Sequence, residues 1–317
     1  MVPRSRKGCC TVIPKKRYTD YNSYLRGLYN ERVQKISLDA GLSCPNRDGT
    51  LASMGCIYCN AKGSGSGQFL KGMSVREQIE AGKIPMMKKY KARKFLAYFQ
   101  SYSNTYAPVA HLKQMYDEAV SCEGVVGMAI GTRPDCIDPE KLDLIQSYTR
   151  DYLVWLEYGL QSVHDTTLSL ICRGHDFKAF EQAVAMTQNR GINICVHVIL
   201  GLPGEDKEMM LDTARTLGRM GINGVKLHLL YVVKGTRLDE MYLDGQYQCL
   251  TQAQYVDIVC DFLERLPREV VIQRITGDPH PEELRAPQWS ARYRDTFNLI
   301  QHTLEQRDSF QGKQYHP

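Results

Sequence analysis

The sequence of 317 residues lacks the apolar segments that membrane insertion or export requires. No apolar run approaches the roughly 20 residues that span a bilayer. The opening residues, MVPRSRKGCCTVIPKKRYTD, carry charges but no apolar core of a secretory signal. We therefore expect a cytoplasmic protein without a membrane partner, whose eleven cysteines are reduced thiols.

Internal repeats, proline-rich linkers and low-complexity blocks are also missing, which excludes solenoid and fibrous proteins. The composition is ordinary, with 43% hydrophobic and 24% charged residues and a mean hydropathy of −0.37. A chain of this length buries roughly 75% of its unfolded surface and needs no metal or disulfide to fold. The formal net charge of +5 permits a nucleic-acid partner without requiring one.

Strand-like and helix-like segments alternate along the chain. Six strand–helix units precede about residue 235, and their strands are VQKISLDA, KFLAYFQ, GVVGMAIGT, YLVWLEYGLQ, INICVHVILGL and GVKLHLLYVV. This alternation predicts a parallel sheet with right-handed crossovers, closed into a partial, TIM-like (β/α)6 barrel. We expect a basic segment at 1–30, the barrel at 31–235 and an α/β extension packed on it at 236–317. The loops after the strands should carry the chemistry.

Three cysteines lie in the loop after the first predicted strand, SCPNRDGTLASMGCIYC. Thiolates select zinc or an iron–sulfur cluster. A structural zinc site is closed by four ligands, yet the first histidine is His111, so a fourth ligand would be Asp48 or a distant residue. A [4Fe–4S] cluster held by three cysteines leaves one iron open to a ligand, and spacing alone leaves both alternatives standing.

The loop and the strand ends together resemble the radical S-adenosylmethionine (SAM) superfamily. The segments that carry the resemblance are the cysteine loop, AYFQSYSNTYAP, IGTRPDC, WLEYGLQS, RGHDF, CVHVILGLPGE and KLHLLYVVKGT. They are most similar to the YhcC/YtqA-type family, which is related to the radical SAM subunit of Elongator and to HemN. The superfamily's usual spacing is CxxxCxxC, whereas eleven residues separate the first two cysteines here.

The resemblance implies a partial barrel of the radical SAM type, a [4Fe–4S] cluster and SAM as cofactors, and an electron donor such as flavodoxin or ferredoxin. Cys44, Cys56 and Cys59 would hold the cluster, whose open iron chelates SAM before reductive cleavage to a 5′-deoxyadenosyl radical. The residues expected at the SAM site are Tyr58, Gln100, Ser101, Ser103, Asn104, Glu157, Gln161, Arg173, Gly201, Lys226 and His228.

Several of these positions have a structural alternative. Glu157 could pair with Lys226 or Arg173 instead of the SAM ribose. Arg133, outside this set, could bind a carboxylate or phosphate, since its planar fork suits both, or form a turn pair with Asp135. His175 is expected beside a helix cap rather than in catalysis.

The YtqA branch, also called MnmL, is implicated in modifying the wobble uridine of tRNA. The resemblance therefore implies conversion of carboxymethylaminomethyluridine to aminomethyluridine, with tRNA as partner. Lys15, Lys16 and Arg17 would contact its phosphates, although a solvated tail has the same composition. A small substrate such as a porphyrin, and a non-enzymatic metal-cluster RNA-binding module, remain alternatives.

Overall fold

The computed structural model describes residues 16–60 and 71–317 and confirms the α/β class. One sheet holds seven parallel strands in the order β1-β2-β3-β4-β5-β6-β8. The strands are β1 Val33–Leu38, β2 Lys94–Phe99, β3 Val125–Thr132, β4 Leu153–Gln161, β5 Asn193–Leu200, β6 Gly224–Leu229, β7 Val232–Val233, β8 Val271–Arg274 and β9 Leu284–Ala286. The helices are α1 Tyr21–Tyr29, α2 Val75–Tyr90, α3 Val109–Val120, α4 Pro139–Ser147, α5 Asp165–Leu170, α6 Phe177–Thr187, α7 Lys207–Arg219, α8 Arg237–Leu243, α9 Gln252–Glu264 and α10 Tyr293–Gln306.

The central strands are buried on both faces. All nine residues of β4 are buried, as expected for parallel strands covered by helices. The outward side chains pack with the helices into one large apolar core. Helices begin at side-chain caps, such as Asp176, which accepts a hydrogen bond of 2.8 Å from the Ala179 amide at the start of α6.

The C-terminal part contributes directly to the sheet, which the sequence did not predict. β8 pairs in parallel with β6 and becomes the seventh strand. The predicted strand GVKLHLLYVV is divided into β6 and β7, and β7 pairs with β9 in a separate antiparallel ribbon. Pro85 lies within α2 without ending it. None of the helices in the described ranges is long and apolar enough to cross a bilayer.

Helix α1 covers the amino-terminal end of the barrel. Its Tyr21 and Tyr24 meet the Trp155 ring edge-on, with centroids 5.7 Å apart in both pairs. Leu25 is buried in the same apolar cluster. The carboxyl ends of the strands, where the cysteine loop begins, therefore lie at the end of the barrel opposite to α1.

Candidate cofactor site

The cysteine loop is a built turn structure between β1 and α2. The Cys44 carbonyl accepts hydrogen bonds from the Arg47 amide at 2.8 Å and the Asp48 amide at 3.1 Å. Gly55 has φ +73°, a left-handed conformation that glycine adopts without strain, and its amide bonds the Asn46 carbonyl at 2.8 Å. These bonds fold the eleven-residue insertion back on itself, so that Cys44 approaches the later pair.

Ile57 anchors the loop between the last two cysteines. Its amide bonds the Ile171 carbonyl at 3.1 Å, and its carbonyl accepts from the Leu238 amide at 2.9 Å. The side chain is buried in a second apolar cluster with Leu168 and Leu202. Hydrogen bonds to two separate parts of the chain therefore fix the positions of Cys56 and Cys59.

Nitrogen donors surround two of the three sulfurs. Asn46 Nδ2 and Arg173 Nη1 each lie 3.6 Å from Cys56 Sγ, and Arg47 Nη1 lies 3.4 Å from Cys59 Sγ. Burial raises the pKa of Cys59, and the charge of Arg47 opposes this shift. Donors of this kind stabilise thiolates that ligate a metal or a cluster.

The spacing of the thiols fits a cluster better than a single zinc ion. Zn–S bonds of about 2.3 Å at a tetrahedral ion hold the sulfurs about 3.8 Å apart. Within the described ranges, the only set of three histidine, cysteine or acidic ligand atoms lying within 4.8 Å of one another is Glu157, Cys195 and His197. The sulfurs of the three loop cysteines do not all lie within 4.8 Å of one another. A cluster requires less close sulfurs than a zinc ion does, because each sulfur would bind a different iron.

The loop after β2 lies against the cysteine loop, because the Ser103 amide bonds the Ser43 carbonyl at 3.2 Å. Asn104 is fully buried, and its Nδ2 donates to the carbonyls of Phe99, Ser101 and Gly131 at 2.9–3.1 Å. Asn104 therefore shapes this loop. The sequence predicted a contact with SAM, but the amide nitrogen is already used within the protein.

Two other predicted residues of this loop have different surroundings. The Ser103 hydroxyl lies 2.9 Å from Thr132 Oγ1. Ser101 is only 1% exposed, and its hydroxyl has no partner in the described ranges, which leaves it open to a ligand. Gln100 follows β2 directly, and its amide bonds the Leu38 carbonyl at 3.2 Å.

Gly159 brings two predicted SAM residues together at the end of β4. A Cβ atom at this position would lie 2.6 Å from Arg173 Nη2 and 2.9 Å from Gln161 Nε2, so any larger residue would displace both. Arg173 Nε donates to the Gly159 carbonyl at 3.1 Å, while its Nη1 lies beside Cys56. Arg173 thus connects the strand end to the cysteine loop.

Glu157 lies inside the barrel, and its assignment to the SAM ribose is wrong. It precedes Gln161 by four residues, so it is about 13 Å from the strand end. It is fully buried and is bound by Lys35 and His197 at 2.9 Å each and by Lys226. The predicted alternative, a pair with Lys226, is confirmed, and neither residue is free to bind a cofactor.

The charges in this interior cluster favour ionised Glu157 and neutral His197. Burial alone would raise the pKa of Glu157, but Lys226 and Lys35 hold it well below its usual range. Burial and the charge of Lys226 lower the pKa of His197 to about 4. His197 therefore donates from Nε2 to Glu157. The spacing of Glu157, Cys195 and His197 would suit a metal, but the two lysine ammonium groups oppose a further cation.

His228 faces the barrel one layer nearer the strand ends than Lys226. Its ring lies 5.5 Å from that of His197, and its Nε2 is buried without a partner among the described residues. Burial and then the charge of Arg274 lower its pKa well below the usual value. A neutral imidazole with one free nitrogen fits the predicted role of lining the site.

Gly201 does not offer an open approach to adenine. Leu250 Cδ1 would lie 3.0 Å from a Cβ at this position, and the Gly201 carbonyl accepts a hydrogen bond of 2.9 Å from Tyr247. Its φ of +87° explains the glycine as a requirement of the turn. Tyr58 packs beside the second apolar cluster, and burial, followed by the charge of the neighbouring Cys56, raises its pKa well above the usual value.

Two of the basic tail residues are already paired within the protein. Lys16 Nζ lies 2.8 Å from Asp20, and Arg17 Nη1 lies 2.8 Å from Asp308. Lys15 lies outside the described residues. The expected turn pair of Arg133 is confirmed, since its Nε lies 2.9 Å from Asp135. His175 lies beside Asp176, the α6 cap, as predicted.

Lys35, Tyr98, His197 and Gly159 were not singled out from the sequence as functional positions. A signal was present for His197, because it interrupts the otherwise largely apolar strand β5, whereas Lys35 lies in a strand with two other polar residues. Tyr98, which accepts from Lys226 at 3.1 Å, looks like any core aromatic in the sequence.

A parallel half-barrel with a three-cysteine loop after its first strand defines the scaffold of an enzyme that works on SAM at a [4Fe–4S] cluster. The family model "Radical SAM superfamily" matches residues 49–217, and the model "Radical_SAM C-terminal domain" matches residues 222–306. The chain belongs to the radical SAM superfamily, whose cofactors are a [4Fe–4S] cluster and SAM.

Individual relatives agree with this. The Bacillus subtilis (strain 168) protein YtqA is 40% identical over 298 residues, covering 94% of this chain and 92% of that protein. A tRNA uridine(34) acetyltransferase of Dehalococcoides mccartyi (strain CBDB1) is 28% identical over 158 residues, covering 48% of this chain and 33% of that protein. The structure of Methanocaldococcus infernus Elp3 superposes with a TM-score of 0.67 at 16% identity, covering 88% of this chain and 64% of that chain. The predicted relation to YtqA and Elongator is confirmed.

Proposed function

We propose that this protein modifies the wobble uridine of tRNA, converting a carboxymethylaminomethyl group to an aminomethyl group. The observation that supports this most is the similarity over 158 residues to a tRNA uridine(34) acetyltransferase, a protein that acts at the same nucleotide position. The net charge of +5 is compatible with a nucleic-acid substrate. The reaction class is hydrogen abstraction from the carboxymethyl carbon next to the amine nitrogen. Loss of one electron and a proton then leaves an imine, and water hydrolyses this imine to release glyoxylate and the amine.

The chain's own residues divide the work as follows in this proposal. Cys44, Cys56 and Cys59 hold the cluster, which supplies the electron for cleaving SAM when it is bound. Arg173 and Gln161, brought together at Gly159, orient SAM at the end of β4. Deeper in the barrel, Lys35 and Lys226 balance the charge of Glu157, so the buried carboxylate is stable without contact with water.

The substrate assignment is tested on nucleosides. Cells that lack the protein should accumulate carboxymethylaminomethyluridine in their tRNA, measured by mass spectrometry of digested nucleosides. The purified, anaerobically reconstituted protein should convert the same tRNA, and a Cys56→Ala variant serves as the matched inactive control. Normal nucleosides in the deletion strain, together with SAM cleavage that tRNA does not affect, would contradict the tRNA assignment and leave the radical SAM assignment intact.

The basic tail should contribute to tRNA affinity through phosphates. The Lys16 side chain is 53% exposed, so a phosphate can reach its ammonium group and compete with Asp20 for it. Reversing the charges of Lys15 and Lys16 should reduce the slope of log affinity against log salt by about one for each lost contact. Asp308→Asn releases Arg17 and should not weaken tRNA binding. Equal slopes for wild type and the double variant would show that the tail is only solvated.

A further inference from the structure

A cavity of about 320 Å³ opens at the free edge of the barrel. It lies between β1 and β8, the two edge strands of the sheet, with α1 and α10 as the remaining walls. Its β1 residues come from the amino-terminal half of that strand, whereas the cysteine loop follows the carboxyl end. The cavity therefore does not include the cysteine loop.

The charged groups lining this cavity leave an excess of positive charge. The Arg274 guanidinium forms no hydrogen bond or ion pair with any residue in the described ranges, although it lines the cavity. Asp20 is the acidic residue of the lining, and its carboxylate is already bound by Lys16 at 2.8 Å and by the Ser23 amide at 3.1 Å. Arg32 also lines the cavity, and its Nε is buried without a partner in the described ranges, whereas the Lys35 ammonium is already paired with Glu157 at 2.9 Å.

Unpartnered hydrogen-bonding groups line the same cavity. Tyr21 Oη and Gln273 Nε2 are both buried and lack a partner in the part of the chain that the structure describes. Gln273 Oε1 accepts from Lys35 at 2.7 Å, which fixes the amide so that its nitrogen remains a donor. Folded proteins pair nearly all buried polar groups, so these atoms require an acceptor that the described residues do not provide.

Apolar side chains complete the lining. Leu25 from α1, Ile272 from β8 and Phe297 from α10 border the same space. A volume of this size lies at the lower end of the range for small-molecule sites, which combine apolar walls with a few placed polar groups. The lining thus suits an acidic group attached to a small organic body.

We propose that this lateral cavity binds the carboxylate or phosphate group of a small organic acid. Arg274 provides the main charge, because its planar guanidinium can donate two parallel hydrogen bonds to either oxyanion. Tyr21 and Gln273 donate to the remaining oxygens. The site contains none of the cluster cysteines and does not rest on the reaction proposed above, although the charge of Arg274 also acts on His228.

Calorimetric titration with inorganic phosphate and with acetate tests the site. The reconstituted full-length protein is used at constant ionic strength, with SAM present to fill the cofactor site. Arg274→Gln should weaken binding of the preferred anion at least about tenfold, since it removes a charge-assisted contact, and Tyr21→Phe should weaken it about fivefold. Arg294→Gln, an exposed arginine on α10, is the matched control and should leave affinity unchanged.

The preferred probe identifies the acidic group, phosphate or carboxylate. Circular dichroism and iron content of each variant separate lost binding from lost folding, and Tyr21→Phe retains the ring that packs on Trp155. Equal affinity in Arg274→Gln and wild type would overturn the proposal. So would an equal loss in Arg294→Gln, or no saturable binding of either anion by the wild-type protein.

Discussion

Replacing Glu157 with glutamine should destabilise the protein strongly while leaving the cluster in place. The carboxylate is fully buried and is the shared partner of Lys226, Lys35 and His197. Breaking a buried ion pair by removing one partner costs about 3–5 kcal/mol, because the other charge is stranded. The glutamine oxygen can still accept one hydrogen bond, so we expect about 3 kcal/mol, or roughly a 150-fold change in the unfolding equilibrium.

Urea unfolding under anaerobic conditions, followed by circular dichroism, measures this loss. Asp151→Asn is the control, because it breaks the exposed pair with Arg150 and should change stability by no more than about 1 kcal/mol. The double variant Glu157→Gln/Lys226→Met should recover part of the loss, since it also removes the stranded ammonium group.

The expected iron and sulfide contents provide a second readout. Glu157 is about 13 Å from the end of its strand, so its loss should not change cluster content. A loss below about 1 kcal/mol in Glu157→Gln, or strictly additive losses in the double variant, would refute the argument that ionised Glu157 neutralises the interior lysines.

Three further predictions concern the cluster, the cofactor and pH. Cys56→Ala should abolish the four irons and four sulfides of the reconstituted protein, whereas Cys122→Ala should keep them, and one zinc without sulfide would defeat the cluster assignment. Gln161→Ala should weaken SAM binding about fivefold with unchanged iron content, as judged by equilibrium dialysis, and unchanged affinity would contradict its proposed role. The pKa of His197 is lowered to about 4, so between pH 6.5 and 4 the unfolded chain binds a proton that the folded chain does not. The free energy of unfolding should therefore fall by up to about 3 kcal/mol as the pH drops from 6.5 to 4. Urea unfolding at several pH values measures this fall, which His197→Asn should reduce.

The strands and helices of the barrel could be predicted because their signals are local. The segment VAHLKQMYDEAV predicts a helix with the bounds that α3 has, and the Asp176 cap of α6 follows from side chains within four residues. The division of GVKLHLLYVV into β6 and β7 could not be predicted, because it depends on β9, about fifty residues later in the chain. The seventh strand depends likewise on pairing across the sequence, here between β6 and β8.

The site was predicted well where spacing carries the information. The cysteine loop is recognisable from its residue order, and Arg173 was found from its motif. Glu157 was misassigned because a sequence shows which residues a strand contains but not how far each lies from the mouth of the barrel. Counting residues back from Gln161 would have placed the carboxylate in the interior, about four residues below the strand end.

The polar groups inside this barrel form two layers with different requirements. In the lower layer, Glu157 satisfies two lysines and a histidine, so it needs no ligand to be stable. In the upper layer, the hydroxyl of Ser101 and Nε2 of His228 have no partner within the described ranges, so burial of these atoms is favourable only when something binds. Substitutions in the lower layer should therefore change stability, and substitutions in the upper layer should change ligand affinity. The two layers are adjacent, since the His228 ring lies 5.5 Å from that of His197, so unfolding and ligand binding should be measured on the same variants to separate the two effects.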